Sequence, residues 1–333
     1  MPDSLSMPYL SIVIPVYNES ENIPILCERL NAALSRLDET YETLLVDDGS
    51  TDDSWEKMKV CARTYPAFRL VRLRRNFGQT AAMSAGFQSA RGEVVITLDA
   101  DLQNDPADIP LLLDKVREGY DVVSGWRKKR HDPFLTRRLP SMIANGVISR
   151  STGVALHDYG CTLKAYRREI VSNLRLYGDM HRFIPALASW IGGSIAEVTV
   201  DHHPRRHGTS KYGISRTFRV ILDLMTVKFL VRYSTHPIQM FGKIGMLFGV
   251  PGALMLALMV LANFLYNIAG VEAAAGLVEL VKRPFWVITP FMLVFFCVQF
   301  ISMGLLAEIQ IRTYHEAQSK PIYVVRETFE PEE

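Results

Sequence analysis

The sequence predicts an α/β protein: an open, Rossmann-like, mostly parallel sheet, joined by interface helices to a C-terminal two-helix transmembrane hairpin. Three observations predict it. Short apolar or β-branched runs alternate with amphipathic stretches from Leu10 to Ser124, the pattern of repeated βα units. Two later segments repeat apolar residues at helical spacing without being long enough to span a bilayer. Two long uncharged runs then occupy the C-terminal third.

Leu10 to Val16 is a β-branched run of the kind that forms a buried parallel strand. Asn18-Glu19-Ser20-Glu21 leads into a helix with Leu26, Leu30, Ala33, Leu34 and Leu37 on one face. A strand at Thr43 to Val46 ends in Asp47-Asp48-Gly49-Ser50. A helix near Ser54 to Thr64, a strand near Arg69 to Leu73 and a small-residue helix at Thr80 to Ala90 follow. A strand at Glu93 to Leu98, a helix at Ile109 to Glu118 and a strand at Asp121 to Ser124 complete the series. The two amphipathic segments contain Leu135, Leu139, Met142, Ile143 and Val147, and Ile214, Phe218, Ile221, Leu222, Met225 and Phe229. Both fit helices lying in a membrane interface; packing against the sheet domain is the alternative.

Ile244 to Val271 and Pro284 to Ala307 carry no charged side chain, runs of roughly 28 and 24 where about 20 span a bilayer. Basic residues flank the pair (Arg216, Arg219, Lys228, Arg232 and Lys243 before, Arg312, Lys320 and Arg326 after), and the connector has no basic excess. That asymmetry predicts that both chain ends are cytoplasmic. The expected organisation is a cytoplasmic domain over about 1–213, including an amphipathic segment over about 134–151. A juxtamembrane helix over about 214–235, a hairpin over about 238–312 (spans about 244–268 and 284–307) and a tail over 313–333 follow. A net charge of +2 on 333 residues excludes the basic field of a nucleic-acid binder. The four cysteines show no pairing or metal spacing, which suits a reducing compartment. No cleavable signal is predicted, because the first apolar run is short and interrupted by Pro15.

Ligands of open parallel sheets bind beyond the carboxyl ends of the strands, which singles out two acidic motifs. Asp99-Ala100-Asp101 directly follows an apolar strand. Two carboxylates at such a turn suit a hard cation, Mg²⁺ or Mn²⁺, that also takes phosphate oxygens of a substrate. The plain alternative is a polar turn with Asp101 or Asn104 capping the next helix. Asp47 or Asp48 can accept hydrogen bonds from a base or ribose, or simply shape a turn. No Gly-x-Gly-x-x-Gly follows the first strand and no P-loop occurs anywhere. Basic residues come later: Arg127 to Arg130 with Arg137 and Arg138, and Arg205, Arg206, His207 and Lys211. Arg127 and Arg206 are read as binding the phosphate of a lipid head group. Lys128 to Arg130 fit that role or nonspecific attraction to anionic lipid equally well.

Ser11 to Glu19, Val46 to Asp52 and Leu98 to Gln103 resemble family 2 glycosyltransferases with the GT-A fold. Asp158-Tyr159-Gly160-Cys161 and Arg206 to Tyr212 are similar to the polyprenyl-phosphate branch. That branch includes dolichyl-phosphate mannose synthases, bactoprenol glucosyltransferases and undecaprenyl-phosphate 4-deoxy-4-formamido-L-arabinose transferases. Asp158 to Arg168, Phe183-Ile184-Pro185 and the C-terminal hairpin resemble the last group most. The resemblance implies that Pro15, Tyr17 and Glu19 border the base and ribose and that Asp48 contacts the nucleotide. It implies that Asp99 and Asp101 organise metal and diphosphate, with Gln103 at the donor sugar or metal shell. Arg127 and one of Arg137 or Arg138 would hold the acceptor phosphate, and Arg206 and Lys211 would lie on a segment closing over the diphosphate. Asp158 matches a residue proposed as a base in relatives. A lipid monophosphate, with a second pKa near ~6, is already mostly charged at pH 7 and barely needs one, so Asp158 is also read as positioning the sugar or a basic neighbour.

The implied reaction is a single inverting displacement from a nucleotide sugar, a UDP-sugar by likeness to bacterial members, onto undecaprenyl phosphate. The implied setting is the bacterial inner membrane, with a homo-oligomer expected. A processive polysaccharide synthase is the rival enzyme, but its Gln-x-x-Arg-Trp motif is absent; a non-catalytic membrane scaffold is the rival of another class.

Overall fold

The computed structural model describes residues 7–128, 139–204 apart from 175, 177 and 179, 322–330, and isolated positions between 261 and 313. The chain divides into two compact units, Met1–Val231 with Pro321–Glu333, and Arg232–Lys320. Among the described residues no helix is long and apolar enough to cross a membrane. The segments 244–268 and 284–307 lie almost wholly outside those residues, as do 129–138 and 205–235.

The first unit is built on an eight-stranded sheet of order β7-β5-β6-β4-β1-β2-β3-β8. β1 (Leu10–Val16), β2 (Tyr41–Asp47), β3 (Phe68–Leu73) and β4 (Val94–Thr97) form the parallel centre, with β1 between β2 and β4. The helices between them are α1 (Ile23–Leu34), α2 (Ser54–Thr64) and α3 (Gln79–Ser89). Then come α4 (Ile109–Arg117), β5 (Val122–Trp126), α5 (Leu139–Thr152), β6 (Lys164–Arg167), α6 (Arg168–Asn173), α7 (Ile184–Trp190), β7 (Ile195–Thr199) and β8 (Val325–Phe329). The predicted elements up to Ser124 are all present, with ends shifted by a few residues. α1 and α4 start on Ile-Pro, the proline sitting where a helix has no use for the amide hydrogen.

Alternate residues of β1 feed two cores. Leu10, Ile12, Ile14 and Val16 pack with α1, α2 and α4, and Val13 packs with Met83 and Phe87 of α3 on the opposite face. That double coverage explains why the strand reads as a continuous apolar run. α3 lies close because its seventh to eighth positions are small: a Cβ on Gly86 would sit 2.2 Å from Val13 Cγ1.

β6, β7 and β8 are additional to the sequence-predicted series. β6 inserts antiparallel between β4 and β5, and β8 pairs antiparallel with β3 at the edge. The segment read as a tail therefore carries a strand of the same sheet. Arg69 and Arg91 both reach Glu330 Oε1 (2.7 and 3.0 Å), fastening the far end of β8. Among the described side chains of α5, Asn145 and Ile148 are buried and Ser149 and Thr152 half-buried, while Met142 of the predicted apolar face is 59% exposed. The Asn145 side chain donates to the His157 carbonyl (2.7 Å) and Ser149 Oγ to the Leu156 carbonyl (3.2 Å). Asn145 and Ser149, polar residues of the predicted helix, thus face the domain.

One turn requires glycine on two counts. Gly49 has φ +68°, and a Cβ there would lie 2.3 Å from the carbonyl carbon of Arg75. Gly49→Ala is expected to destabilise the domain by about 2 kcal/mol or more. Gly119→Ala, at φ +105° with open space around it, should cost only about 1 kcal/mol. Urea melts of the two variants check the difference; equal losses would mean that the Arg75 contact relaxes freely.

Candidate active site

The loops after β1, β2, β3 and β4 meet at one end of the sheet and enclose a pocket of about 190 Å³. Pro15, Tyr17, Glu19, Asp48, Asp99 and Asp101 all line it, as do Asn76, Gly78 and Gln79. Six residues from three separate sequence motifs therefore share one cavity.

Two of these loops are knitted together by side chains. Asn18, in the left-handed region at φ 53°, accepts from the Thr51 amide (2.8 Å), and its own amide donates to Ser50 Oγ (3.0 Å). The Glu19 amide donates to Ser54 Oγ (3.0 Å). Asn tolerates this backbone state better than most residues. Asp47 and Asp48 then separate. Asp47 is buried beneath the turn, accepting from the Ser50 amide (2.8 Å) and pairing with Arg72 Nε (3.2 Å). Asp48 faces the pocket, and its two oxygens accept from the Phe77 and Gly78 amides (2.7 and 2.9 Å). Burial pushes the Asp48 carboxyl up to about 6, against the pull of those two amides. Asp48 thus draws the loop before α3 into the pocket wall.

Asp99 and Asp101 sit on the turn after β4, which Leu102 completes at φ 61°. A buried leucine in the left-handed region is a strained backbone. Asp99 Oδ1 accepts from Gln79 Nε2 (2.8 Å). Burial, and next the charge of Asp101, push Asp99 up to about 6, while Thr162, Arg127 and Lys164 pull the other way. Two carboxylates crowded together at the rim of a cavity are the hard-oxygen donor set of Mg²⁺ or Mn²⁺, and a cation would relieve their repulsion. Among the described residues no group of three or more His, Cys, Asp or Glu is placed to hold a metal, so a cation on this pair would take its remaining ligands from phosphate or water. Gln103 is outside the pocket lining: its amide donates to Asp101 Oδ1 (3.1 Å) and its carbonyl accepts from the His203 amide (2.8 Å).

Arg127 follows β5 directly, and Asp158 is buried beside it. The guanidinium grips the carboxylate with Nε on Oδ2 (2.7 Å) and NH2 on Oδ1 (3.1 Å). Burial disfavours the Arg127 charge, but Asp158 outweighs it and holds the group firmly protonated. Asp158 itself is set by Glu197, which accepts the amides of His157 (2.9 Å) and Asp158 (3.1 Å). Lys164, fully buried at the start of β6, donates to the carbonyls of Tyr159 and Cys161, and burial lowers its pKa. Both cations act on Asp99 electrostatically. Gln79, Lys164 and Glu197 were not among the sequence candidates. The only sequence signal for Gln79 was its place at the head of a helix following a predicted strand; Lys164 and Glu197 lie on strands whose charged residues interrupt any apolar run. Arg137, Arg138, Arg206 and Lys211 lie outside the described residues.

Residues 11–175 match the family described as glycosyl transferase family 2. A dodecaprenyl-phosphate galacturonate synthase of Rhizobium johnstonii is 45% identical, the match covering 96% of this chain and 93% of the relative. An undecaprenyl-phosphate 4-deoxy-4-formamido-L-arabinose transferase of Pseudomonas syringae is 41% identical over 95% of this chain and 90% of its own length. The motif likeness to the second group is thus matched by at least equal likeness to a galacturonate enzyme. Glucosyl-3-phosphoglycerate synthase from Mycobacterium tuberculosis, solved with Mn²⁺, UDP and glucosyl-3-phosphoglycerate, superposes with a TM-score of 0.53. That match covers 67% of this chain and 80% of the other at 17% identity, which supports the GT-A fold and nothing finer. The same fold, the family match along the sheet and relatives alike over nearly their whole length lead to one assignment: the chain is a glycosyltransferase and belongs to glycosyl transferase family 2.

Proposed function

We propose that the enzyme moves one sugar, with inversion, from a UDP-sugar to undecaprenyl phosphate at the cytoplasmic face of a bacterial inner membrane. The observation that carries the proposal is the shared pocket. Pro15, Tyr17, Glu19 and Asp48, the candidate nucleotide contacts, line it together with Asp99 and Asp101, and the charge of the half-buried Arg127 acts on Asp99. The relatives named for galacturonate and formamido-arabinose transfer to prenyl phosphates support the acceptor class.

In this reading Asp99 and Asp101 would hold Mg²⁺ or Mn²⁺, which supplies charge neutralisation on the departing diphosphate. Arg127, with Arg137 or Arg138, orients the acceptor phosphate for attack on the anomeric carbon. Asp158 fixes Arg127 in place, and both of its oxygens are engaged there rather than directed at a proton. Arg206 and Lys211 close over the diphosphate. Gln103 reaches the donor sugar or the metal shell, and a homo-oligomer completes the proposal.

The membrane part rests on the two uncharged runs and two structural supports. Leu261, Phe264, Ile288, Phe295 and Leu306 are helical, large, apolar and at least 50% exposed, an arrangement that water penalises and lipid does not. The chain leaves the sheet unit at 232 and has rejoined its sheet in β8 by 325. Any membrane between those points is crossed an even number of times, in keeping with two spans and cytoplasmic ends.

The test is a panel of nucleotide sugars, UDP-galacturonate included, with undecaprenyl phosphate and purified enzyme in detergent. Metal-dependent formation of a sugar-phosphate lipid from one member is the expected result. No glycolipid from any donor, with metal present, would sink the proposal.

A pH signature follows from Asp99. In the folded, metal-free protein it keeps its proton up to about pH 6, whereas an unfolded aspartate loses it near ~4. Stability of the metal-free protein should therefore fall as pH rises from about 4 to about 6. Cation binding needs the proton gone, so its affinity should weaken up to about tenfold per unit below pH 6. Thermal melts with and without Mn²⁺ should show a large metal-induced rise at pH 7.5 and a small one at pH 5. Equal rises at both pH values would remove Asp99 from the cation site.

A further inference from the structure

We infer that the segment entering β8 positions the donor pocket, with Tyr323 as a positioning residue acting through α3. The inference rests on the reading of that pocket as the nucleotide-sugar site.

α3 delivers Gln79 to Asp99 and, through the loop before it, Gly78 to Asp48. Its body is made largely of small side chains, and Ala81, Ala82 and Ala85 form a cluster with Val46, Val71 and Leu73 of the sheet. Small residues let a helix lie close to a sheet, but they provide little interlocking against sliding along it. Met83 and Phe87 supply bulk only in the neighbouring cluster around Val13; on the alanine side it is contributed by residues from some 240 positions further along the chain. Tyr323, 6% exposed, is buried in this same cluster, with Ile322 and Phe77 packed against it. Its hydroxyl donates to Gln88 Oε1 on the last turn of α3 (2.6 Å). Val324 then accepts from the Arg74 amide (2.9 Å), at the start of the loop that carries Asn76, Phe77 and Gly78. The segment therefore touches both ends of what shapes one pocket wall: the loop before α3 and the helix itself. A helix displaced by about 1 Å would break the Gln79–Asp99 hydrogen bond, and misplacement on that scale costs up to about a hundredfold in reactivity.

The cluster that holds Tyr323 lies behind α3 and supplies none of the pocket-lining residues, so its effect should appear in donor binding, whose wall α3 carries, and not in acceptor binding. Tyr323→Ala is expected to raise KM for the nucleotide sugar and Kd for UDP with Mn²⁺ by about fivefold or more, leaving KM for undecaprenyl phosphate within about twofold. Tyr323→Phe keeps the ring and should stay within about twofold of wild type on all three. Glu330→Gln, which loosens only the far end of β8, should lower the melting temperature without moving the donor constants. If Tyr323→Ala does not fold, Tyr323→Leu, which keeps most of the apolar burial, decides on the same criterion. A stable Tyr323→Ala or Tyr323→Leu with an unchanged Kd for UDP, or with donor and acceptor KM raised equally, overturns the inference. Asp101→Asn, measured alongside, separates the two layers. Loss of Mn²⁺-dependent UDP binding there but not at Tyr323 fails only the positioning role, whereas UDP binding unaffected by Asp101→Asn fails the pocket reading itself.

Discussion

Asp101→Asn is expected to lower kcat/KM by about a thousandfold or more while leaving the thermal melt of the metal-free protein unchanged or slightly raised. The two parts have one cause. Asp101 lies 7% exposed beside Asp99, and its charge is the second-largest influence pushing Asp99 up. Asparagine keeps an oxygen for the Gln103 amide (3.1 Å in the native turn), so the turn after β4 retains its hydrogen bond. The substitution removes a like charge from a buried pair, which relieves the folded state. It also removes half of the protein's anionic donors for a cation, and a lost cation at a departing diphosphate forfeits several kcal/mol, each 1.36 kcal/mol being about tenfold in rate. Initial rates with saturating Mg²⁺ or Mn²⁺, beside calorimetric melts, check both halves. Turnover within about tenfold of wild type would remove the pair from the chemistry. A melt lowered by many degrees would make Asp101 a structural residue instead.

Arg127→Ala is expected to raise KM for the lipid acceptor by about tenfold or more, with little change in donor KM, and to destabilise the domain by about 3–5 kcal/mol. The second effect follows from the ion pair. Asp158 is 2% and Arg127 12% exposed, joined by two hydrogen bonds, and removing one partner of a buried pair strands the other charge. Asp158→Asn tests which role the carboxylate has. If it positions Arg127, acceptor KM rises as in Arg127→Ala, and the double variant Arg127→Ala/Asp158→Asn is no worse than the poorer single one. If it takes a proton from the acceptor, kcat falls with acceptor KM unchanged and the acid limb of the rate profile moves. Steady-state kinetics of the three variants across pH decide between them, and the bidentate geometry predicts the first pattern.

The parallel half of the sheet was legible because its strands are buried on both faces, which forces long apolar runs such as Leu10 to Val16. The site residues on it were legible for a related reason. In an open α/β sheet the loops after the strands are where ligands bind, so Asp48, Asp99 and Asp101 could be placed by counting strands. β6, β7 and β8 were not legible. β6 is Lys-Ala-Tyr-Arg, four residues bounded by charges. β8 is Val-Arg-Glu-Thr-Phe, exposed along most of its length. Neither presents the apolar run or alternation that marks a strand, because each owes its place to neighbouring strands.

The sequence by itself determined the acidic turns at the strand ends, the uncharged C-terminal runs and the basic residues between them. Each is a local pattern whose meaning depends on neighbours within a few residues. Only the tertiary structure decided which of Asp47 and Asp48 faces the pocket, that Asp158 is occupied by Arg127 31 residues away, and that Tyr323 supports the helix carrying Gln79. Those choices are contacts across the sheet, set by which side chains can be buried and paired together, and no local periodicity encodes a partner.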